Sequence, residues 1–312
     1  MRIFVIGGTG LVGSYLLPKL VDAGHDLRVL TRSTAKIQKI ERLGAVGILG
    51  DIRNPQEFRN YIKSVDIIVL LAMPSVKPGK RISKKRKEEL KKEINDFFRN
   101  SMDMAIQYNA PLILPSGTSF HTKINEIADE AWPIRRVGLT EIGKDTDDMV
   151  NEAIRTNNPK IIQLIYGKIY GNGGLFLFMY NMMKKGRFKI IGNGDNFIPN
   201  IHASDATSAI VKVIEKMPIG ERFIIADDFP VTQKEFAFYM ADLMNVKRPG
   251  KIPGFIIKMV LGKDMYEIIK MNCKVSNHKA KKLLDWQPEF PSYKEGLKET
   301  ISEINSKRNY FA

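Results

Sequence analysis

Met1-Arg-Ile-Phe-Val-Ile6-Gly7-Gly8-Thr9-Gly10-Leu11-Val12-Gly13 opens the chain, and its reading decides the fold. A short apolar run breaks at a glycine-rich turn, and Ser14 onward follows a helical pattern. A strand that enters such a turn and leaves as a helix is the layout that seats a dinucleotide pyrophosphate. Glycines let the backbone approach the phosphates, and the helix start offers unpaired N–H groups at its positive dipole end. The spacing is G-x-x-G-x-x-G, at Gly7, Gly10 and Gly13.

Outward from that turn, short β-branched runs alternate with amphipathic stretches, the sequence form of a parallel sheet wrapped by helices. Strands are expected at Arg2–Ile6, Asp26–Thr31, Ala45–Leu49, Ile67–Ala72, Leu112–Pro115 and Lys160–Ile165. Helices are expected at Ser14–Ala23, Ala35–Leu43, Pro55–Ile62, Lys91–Tyr108 and Leu139–Thr156, with Gly24 and Gly44 in C-cap positions. After Tyr170 the alternation fades. Two further helical stretches, Thr232–Met244 and Ser292–Ser306, belong to a smaller lobe interwoven with the first.

At 312 residues the chain can bury a substantial core. Its single cysteine, Cys273, excludes an intrachain disulfide and suits a reducing cytoplasm. There is no signal-peptide pattern, and no apolar stretch has the length of a membrane span. The net charge of +15 is concentrated at Lys77, Lys80, Arg81, Lys84, Lys85, Arg86, Lys87, Lys91 and Lys92. A solvated loop and helix start explain that run, and the alternative is a landing strip for an anionic substrate or nucleic acid. No aromatic residue is interleaved, so nucleic acid is disfavoured. Ile252–Leu261 is apolar and flanked by lysines. It reads as core or as a helix covering an apolar cleft, with membrane-surface docking as the alternative.

Several motifs in order resemble the extended, atypical short-chain dehydrogenase/reductases of the NAD-dependent epimerase/dehydratase family. Gly7 to Gly13 is similar to the cofactor turn, with Gly7, Thr9, Gly10, Leu11, Val12 and Gly13 as its binding residues. Gly50-Asp51-Ile52 resembles the element at the adenine, Leu71-Ala72 the strand end at the adenine ribose, and Ile169-Tyr170-Gly171-Asn172-Gly173 the later nicotinamide-side turn. Asn95, Gly192-Asn-Gly194, His202-Ala-Ser-Asp205 and Leu284-Asp-Trp286-Gln-Pro288 match further family positions. The resemblance implies an α/β, doubly wound parallel Rossmann sheet with a small C-terminal substrate lobe. Residues 1–170 would form the dinucleotide-binding domain, segments near 190–230 would return to it, and 171–312 would be mostly the substrate lobe. It also implies a homodimer through helices 91–108 and 139–156.

The second strand ends Leu30-Thr31-Arg32-Ser33, without the acid that binds an NAD ribose. The Arg32 guanidinium, helped by Ser33, suits a 2′-phosphate, so NADP(H) is favoured over NAD(H).

The family's chemistry resembles a Ser/Thr–Tyr–Lys relay, in which a cation makes a phenol usable as acid and base. Here Thr140-Glu-Ile-Gly-Lys144 fits the Tyr-x-x-x-Lys position, with Asp148 on the same helical face. Thr140 replaces the phenol and can orient an oxygen but not exchange its proton near neutral pH. Lys144 would hold the cofactor ribose. Ser116 and Thr118, in Leu114-Pro115-Ser116-Gly117-Thr118, are the hydroxyl candidates, and Tyr166 could supply a phenol from another direction. Tyr180/Lys184 and Tyr266/Lys270 have the right spacing in the wrong place and read as chance matches. Ile198 stands where nucleotide-sugar enzymes place an arginine, which removes a contact worth about 1.5–3 kcal/mol. The four histidines show no metal-ligand spacing, so no metal is expected.

The leading expectation is an oxidoreductase or epimerase/dehydratase acting on a small hydroxyl or carbonyl substrate, sugar-derived compounds included. Its alternatives are a cofactor-binding redox sensor without turnover and a nucleic-acid-associated protein.

Overall fold

The structure is a computed structural model. It describes residues 1–62, 64–74, 76 and 78–306, so Lys77 of the basic run lies outside the described residues. β1 (Arg2–Ile6), β2 (Asp26–Thr31), β3 (Val46–Leu49), β4 (Ile67–Leu70), β5 (Leu112–Gly117), β6 (Ile161–Tyr166) and β7 (Arg222–Ile225) form one sheet. Its order is β7-β6-β5-β4-β1-β2-β3, and every pairing is parallel. Strands buried on both faces carry apolar residues at nearly every position. Ile3, Val5, Val29, Ile67 and Val69 fill one face. Their neighbours Phe4, Ile6, Leu30, Ile68 and Leu70 fill the other.

α1 (Leu11–Asp22) covers the first face, and α2 (Thr34–Arg42) packs on β3. Both end as expected. Gly24 and Gly44 have φ of +77° and +87°, and the residue after each donates back to Leu20 and Ile40 carbonyls in a Schellman turn. α3 (Lys84–Gln107) and α4 (Lys144–Thr156) cover the second face. α3 begins a full two turns before the expected Lys91. Ser83 caps it by accepting from the Arg86 amide at 3.2 Å, and the basic residues from Lys84 to Lys92 lie in its opening turns. Pro55–Ile62 is not a helix but two 3-10 turns, Pro55–Glu57 and Arg59–Tyr61. Eight residues anchored only by Phe58 and Ile62 are too few to sustain α-helix.

Leu139–Thr156 is likewise not one helix. A 3-10 segment, Gly138–Gly143, precedes α4, and this break changes which side chains share a face.

The later chain contributes α5 (Gly174–Lys184), α6 (Ala203–Lys216) and α7 (Gln233–Leu243). It continues with α8 (Gly254–Leu261), α9 (Lys263–Lys270), α10 (His278–Leu284) and α11 (Tyr293–Asn305). Two-residue strands join distant segments, such as Ile190–Ile191 with Lys251–Ile252. A separate apolar core forms around Tyr170, Phe176, Phe236, Met240 and Leu297. Asp205 explains the later motif: its carboxylate accepts from the Glu289 and Phe290 amides at 2.7 and 3.1 Å. Trp286 is buried beside it and donates to Ser208 at 2.8 Å. His202 is structural, its ring accepting from the Ser204 amide and meeting Thr300 at 3.1 Å. Burial lowers its pKa to about 4. Cys273 is buried against Phe120 and Ile165. No helix among the described residues is long and apolar enough to cross a membrane.

Burial pushes the Asp227 carboxyl up to about 8 and that of Asp205 up to about 6, with Asp228 and Glu295 adding repulsion at Asp227. In the unfolded chain both titrate near 4. The folded state therefore holds extra protons, and this stabilisation is complete below about pH 4 and lost as pH rises through 6 and 8. The melting temperature should fall between about pH 5 and 8.5, and Asp227→Asn should flatten the upper part of that slope in calorimetry.

Candidate functional site

The crevice lies at the carboxyl ends of the strands, where β1 has β4 on one side and β2 on the other. In a doubly wound sheet this reversal opens a ligand cleft. Gly7 turns the chain there with φ +88°, and a Cβ on it would stand 2.5 Å from the Ala72 nitrogen. Gly13 permits α1 to pack on the turn, since its Cβ would meet the Gly8 oxygen at 2.0 Å. Leu11, Val12 and Gly13 form the first turn of α1. It has no side-chain cap and no acidic residue, so its amides are left for an anion.

A cavity of about 460 Å³ runs from this turn along the strand ends. Gly7, Thr9, Gly10, Arg32, Asp51, Ile52, Leu71 and Ala72 line it, all of them expected from sequence. Val12 and Ile169 are packed on the core beneath it beside Leu71. Ser33 caps no amide and is not part of the lining.

Two cations that the motif reading passed over, Arg53 and Arg86, join the wall, and a third, Lys36, lies next to it. Arg53 grips Asp51 with bonds of 2.6–3.1 Å, while Arg32 stands 3.8 Å from the same carboxylate. The Arg53 hydrogen bonds hold the Asp51 carboxyl below its ordinary range. Arg86, from the basic run, lines the cavity with its partner Glu93 at 2.7 Å. Lys36 reaches back from α2 to the Thr9 carbonyl at 3.3 Å, which puts an ammonium over the glycine turn. The only sequence signal for Lys36 is its place in the first turn of the helix after Arg32. The glycine cradle, the uncapped helix start and the basic wall fit a dinucleotide.

Met73 lines this cavity and also a second, of about 270 Å³. Met73, Ile94, Phe98, Leu139, Ile142 and Ile268 give it apolar walls. Ser116, Thr118 and Thr140 all line it. Neither the Ser116 nor the Thr118 hydroxyl has a hydrogen-bond partner among the described residues. Thr140 differs, because its hydroxyl accepts from the Val137 amide at 2.9 Å and donates to the Val137 carbonyl at 2.8 Å. Gln163 was not anticipated. It sits mid-strand in β6, buried, with Oε1 unpartnered among the described residues and its side chain on this cavity. A lone amide inside Ile161–Tyr166 was the signal.

Lys144 is elsewhere. It lines a third cavity of about 490 Å³ with Glu130, Trp132, Asp148 and Arg222. Between the two stands the Arg136–Asp147 ion pair, 12% and 13% exposed, which lines both. The 3-10 turn is the cause: it ends the helical register that would have stacked Thr140 on Lys144. Tyr166 points into the core beside the α1 and α6 packing, its hydroxyl unpartnered and its pKa raised by burial. Tyr180 is buried in the second core, and Tyr266 lies between Lys258 and Lys270 on the α8–α9 pair. The described residues include no cluster suited to a metal ion.

A model of the NAD dependent epimerase/dehydratase family matches residues 3–226, and the chain belongs to that family. The chain is thus of an NAD(P)-dependent oxidoreductase or epimerase type. The chain is 24% identical over 247 residues to the uncharacterized protein C2A9.02 of Schizosaccharomyces pombe, covering 79% of this chain and 81% of that one. It superposes on the human epimerase family protein SDR39U1, solved with NADPH, at a TM-score of 0.75 and 18% identity, covering 97% and 99%. UDP-glucose 4-epimerase of Thermotoga maritima, solved with UDP-glucose, gives 0.80 and 20%, covering 98% and 99%.

The Arg136–Asp147 pair is nearly enclosed, so losing one partner strands the other charge. Asp147→Asn should cost about 3 kcal/mol in urea unfolding. Glu152→Gln, which breaks an exposed pair with Arg155, should leave the midpoint unmoved.

Proposed function

We propose that this protein is an NADP(H)-dependent oxidoreductase acting on a hydroxyl or carbonyl group of a small, largely apolar substrate. The observation that carries the reading is the adjacency at Met73, which lines both a basic, glycine-floored cavity and an apolar one that carries the Ser116 and Thr118 hydroxyls.

Gly7, Thr9, Gly10 and the first-turn amides of α1 would hold the pyrophosphate. Leu71, Ala72 and Ile52 would flank the adenosine, and Arg32 with Lys36 would face a 2′-phosphate. The Arg53 bonds occupy the Asp51 carboxylate, which leaves the region net positive and favours the phosphate further. A bound nicotinamide supplies hydride chemistry at its ring. SDR39U1, a structural neighbour, was solved with NADPH, which supports the same cofactor here.

On the substrate side, Ser116 and Thr118 would donate hydrogen bonds to the reacting oxygen and polarise it. Gln163 Oε1 would accept from a substrate hydroxyl, its unmet bond being satisfied only on binding. Apolar walls exclude water and suit an aliphatic or aromatic body rather than a nucleotide sugar. Thr140 orients the Val137 turn and does not relay the proton, and Lys144 takes no part across the Arg136–Asp147 wall. α3 and α4 adjoin through Lys91–Asp145 at 3.0 Å, and a homodimer through their outer faces belongs to the same proposal.

A second reading has an observation of its own. The Thr140 proton is committed to the backbone and the Tyr166 phenol is sealed in the core, so the protein would bind its cofactor as a redox sensor without turnover. Consumption of NADPH against a panel of apolar carbonyl compounds separates the two readings. Within the basic run Arg86, Lys87 and Lys91 are paired with Glu93, Asp264 and Asp145.

Fluorescence titration should show NADPH binding weakened about tenfold or more in Arg32→Ala/Lys36→Ala, with NADH affected by less than about threefold. Equal losses would place both cations away from the 2′-phosphate. Gln163→Leu should raise stability by about 1 kcal/mol while lowering kcat/KM for hydroxyl-bearing substrates about tenfold.

A further inference from the structure

Six of the eight residues of α8, Gly-Phe-Ile-Ile-Lys-Met-Val-Leu, are apolar, yet none is buried. Phe255 and Met259 are each 69% exposed, and Val260 is 54% exposed. The expectation of core is therefore corrected: this helix shows its apolar face to the outside.

Its inner side is fully occupied in holding it there. α8 turns back at Gly262, φ +89°, and packs on α9, whose Tyr266 ring lies so close to Gly254 that a Cβ would meet it at 2.6 Å. α9 rests on the 3-10 segment, where Gly138 touches the Asp264 backbone, and Lys87 bonds the Asp264 carboxylate at 2.9 Å. Ile268 of the same helix lines the apolar cavity. The pair is thus a fixed hairpin against that cavity, with its apolar outer face left over.

Four lysines of the hairpin and the strand before it, Lys251, Lys258, Lys263 and Lys270, are exposed; Lys258 and Lys270 lie over the Tyr266 ring and Lys251 reaches Asn193. The only carboxylates between them, Asp264 and Glu267, are engaged by Lys87 and, at 3.7 Å, by Lys263. A second copy docked by the same hairpin would bring these lysines together, with both of the hairpin's carboxylates already paired. An anionic lipid surface satisfies both features together. Phe255, Met259 and Val260 enter the headgroup–acyl boundary, and lysine stems lie along them with their ammonium groups at the phosphates.

We infer that the α8–α9 hairpin seats this protein on an anionic lipid surface, with the apolar cavity directly behind the contact. The inference stands apart from the oxidoreductase reading, because its readout is binding to vesicles and not turnover.

The test is co-sedimentation of the full chain with phosphatidylcholine vesicles containing about a quarter phosphatidylglycerol, against phosphatidylcholine alone. The expected result is binding to the anionic vesicles only, weakened by salt. Phe255→Ser/Met259→Ser should reduce it at least about tenfold, with the urea midpoint and NADPH affinity unchanged. Lys258→Glu/Lys263→Glu should reduce it as well, and tests the idea should the first variant fold poorly. No binding to anionic vesicles, or binding untouched by both variants, overturns the inference. So does a wild-type dimer in light scattering that Phe255→Ser/Met259→Ser dissolves, which would assign the face to a second copy.

Discussion

The close approach of Gly7 to Ala72 sets the geometry on which every other functional feature rests. With a left-handed backbone and no room for a side chain, Gly7 turns the chain off the end of β1 against the end of β4. That contact aims the amino end of α1 into the crevice. It also fixes where β4 hands over to Met73, which lines both the strand-end cavity and the apolar cavity. A side chain at Gly7 would push the two strand ends apart and distort the floor of the strand-end cavity. Position, more than any single polar group, is what this turn provides.

The parallel strands were legible because burial on both faces leaves near-continuous apolar runs, and β1 and β2 fall on the expected residues. Helix C-termini were legible because Gly24 and Gly44 are local signals. Helix starts were harder. Apolar periodicity begins at Leu90, but Ser83 caps α3 well upstream, and Lys and Arg tolerate helix without adding to the pattern. In the later chain the helices at Gln233–Leu243 and Tyr293–Asn305 fall where expected, but the two-residue strands escaped reading because they are defined by distant partners, as in Lys251–Ile252 with Ile190–Ile191.

The site shows the same division. Residues carried by the glycine turn and the strand ends came together as expected, because backbone sterics place them. The Thr140–Lys144 pairing did not, because it assumed a helix where the chain makes a 3-10 turn. Gln163 and Lys36 were invisible to motif reasoning. One is a polar residue in an apolar strand and the other an ordinary surface-type lysine, and only packing shows where each is aimed. Electrostatics was the least legible of all. Within one basic run Lys87 and Lys91 tie α3 to α9 and α4 while Arg86 lines the cavity, where the other cations, Arg32, Arg53 and the nearby Lys36, come from separate segments.

Cys273 is the chain's single thiol, 1% exposed, and burial raises its pKa to about 11. The thiolate is the reactive form, so this sulfur is doubly protected, sterically and by protonation. The native chain is accordingly ready-made for site-directed probe chemistry. A cysteine introduced at any exposed position would react with a maleimide alone, with no need to remove a background residue from the core.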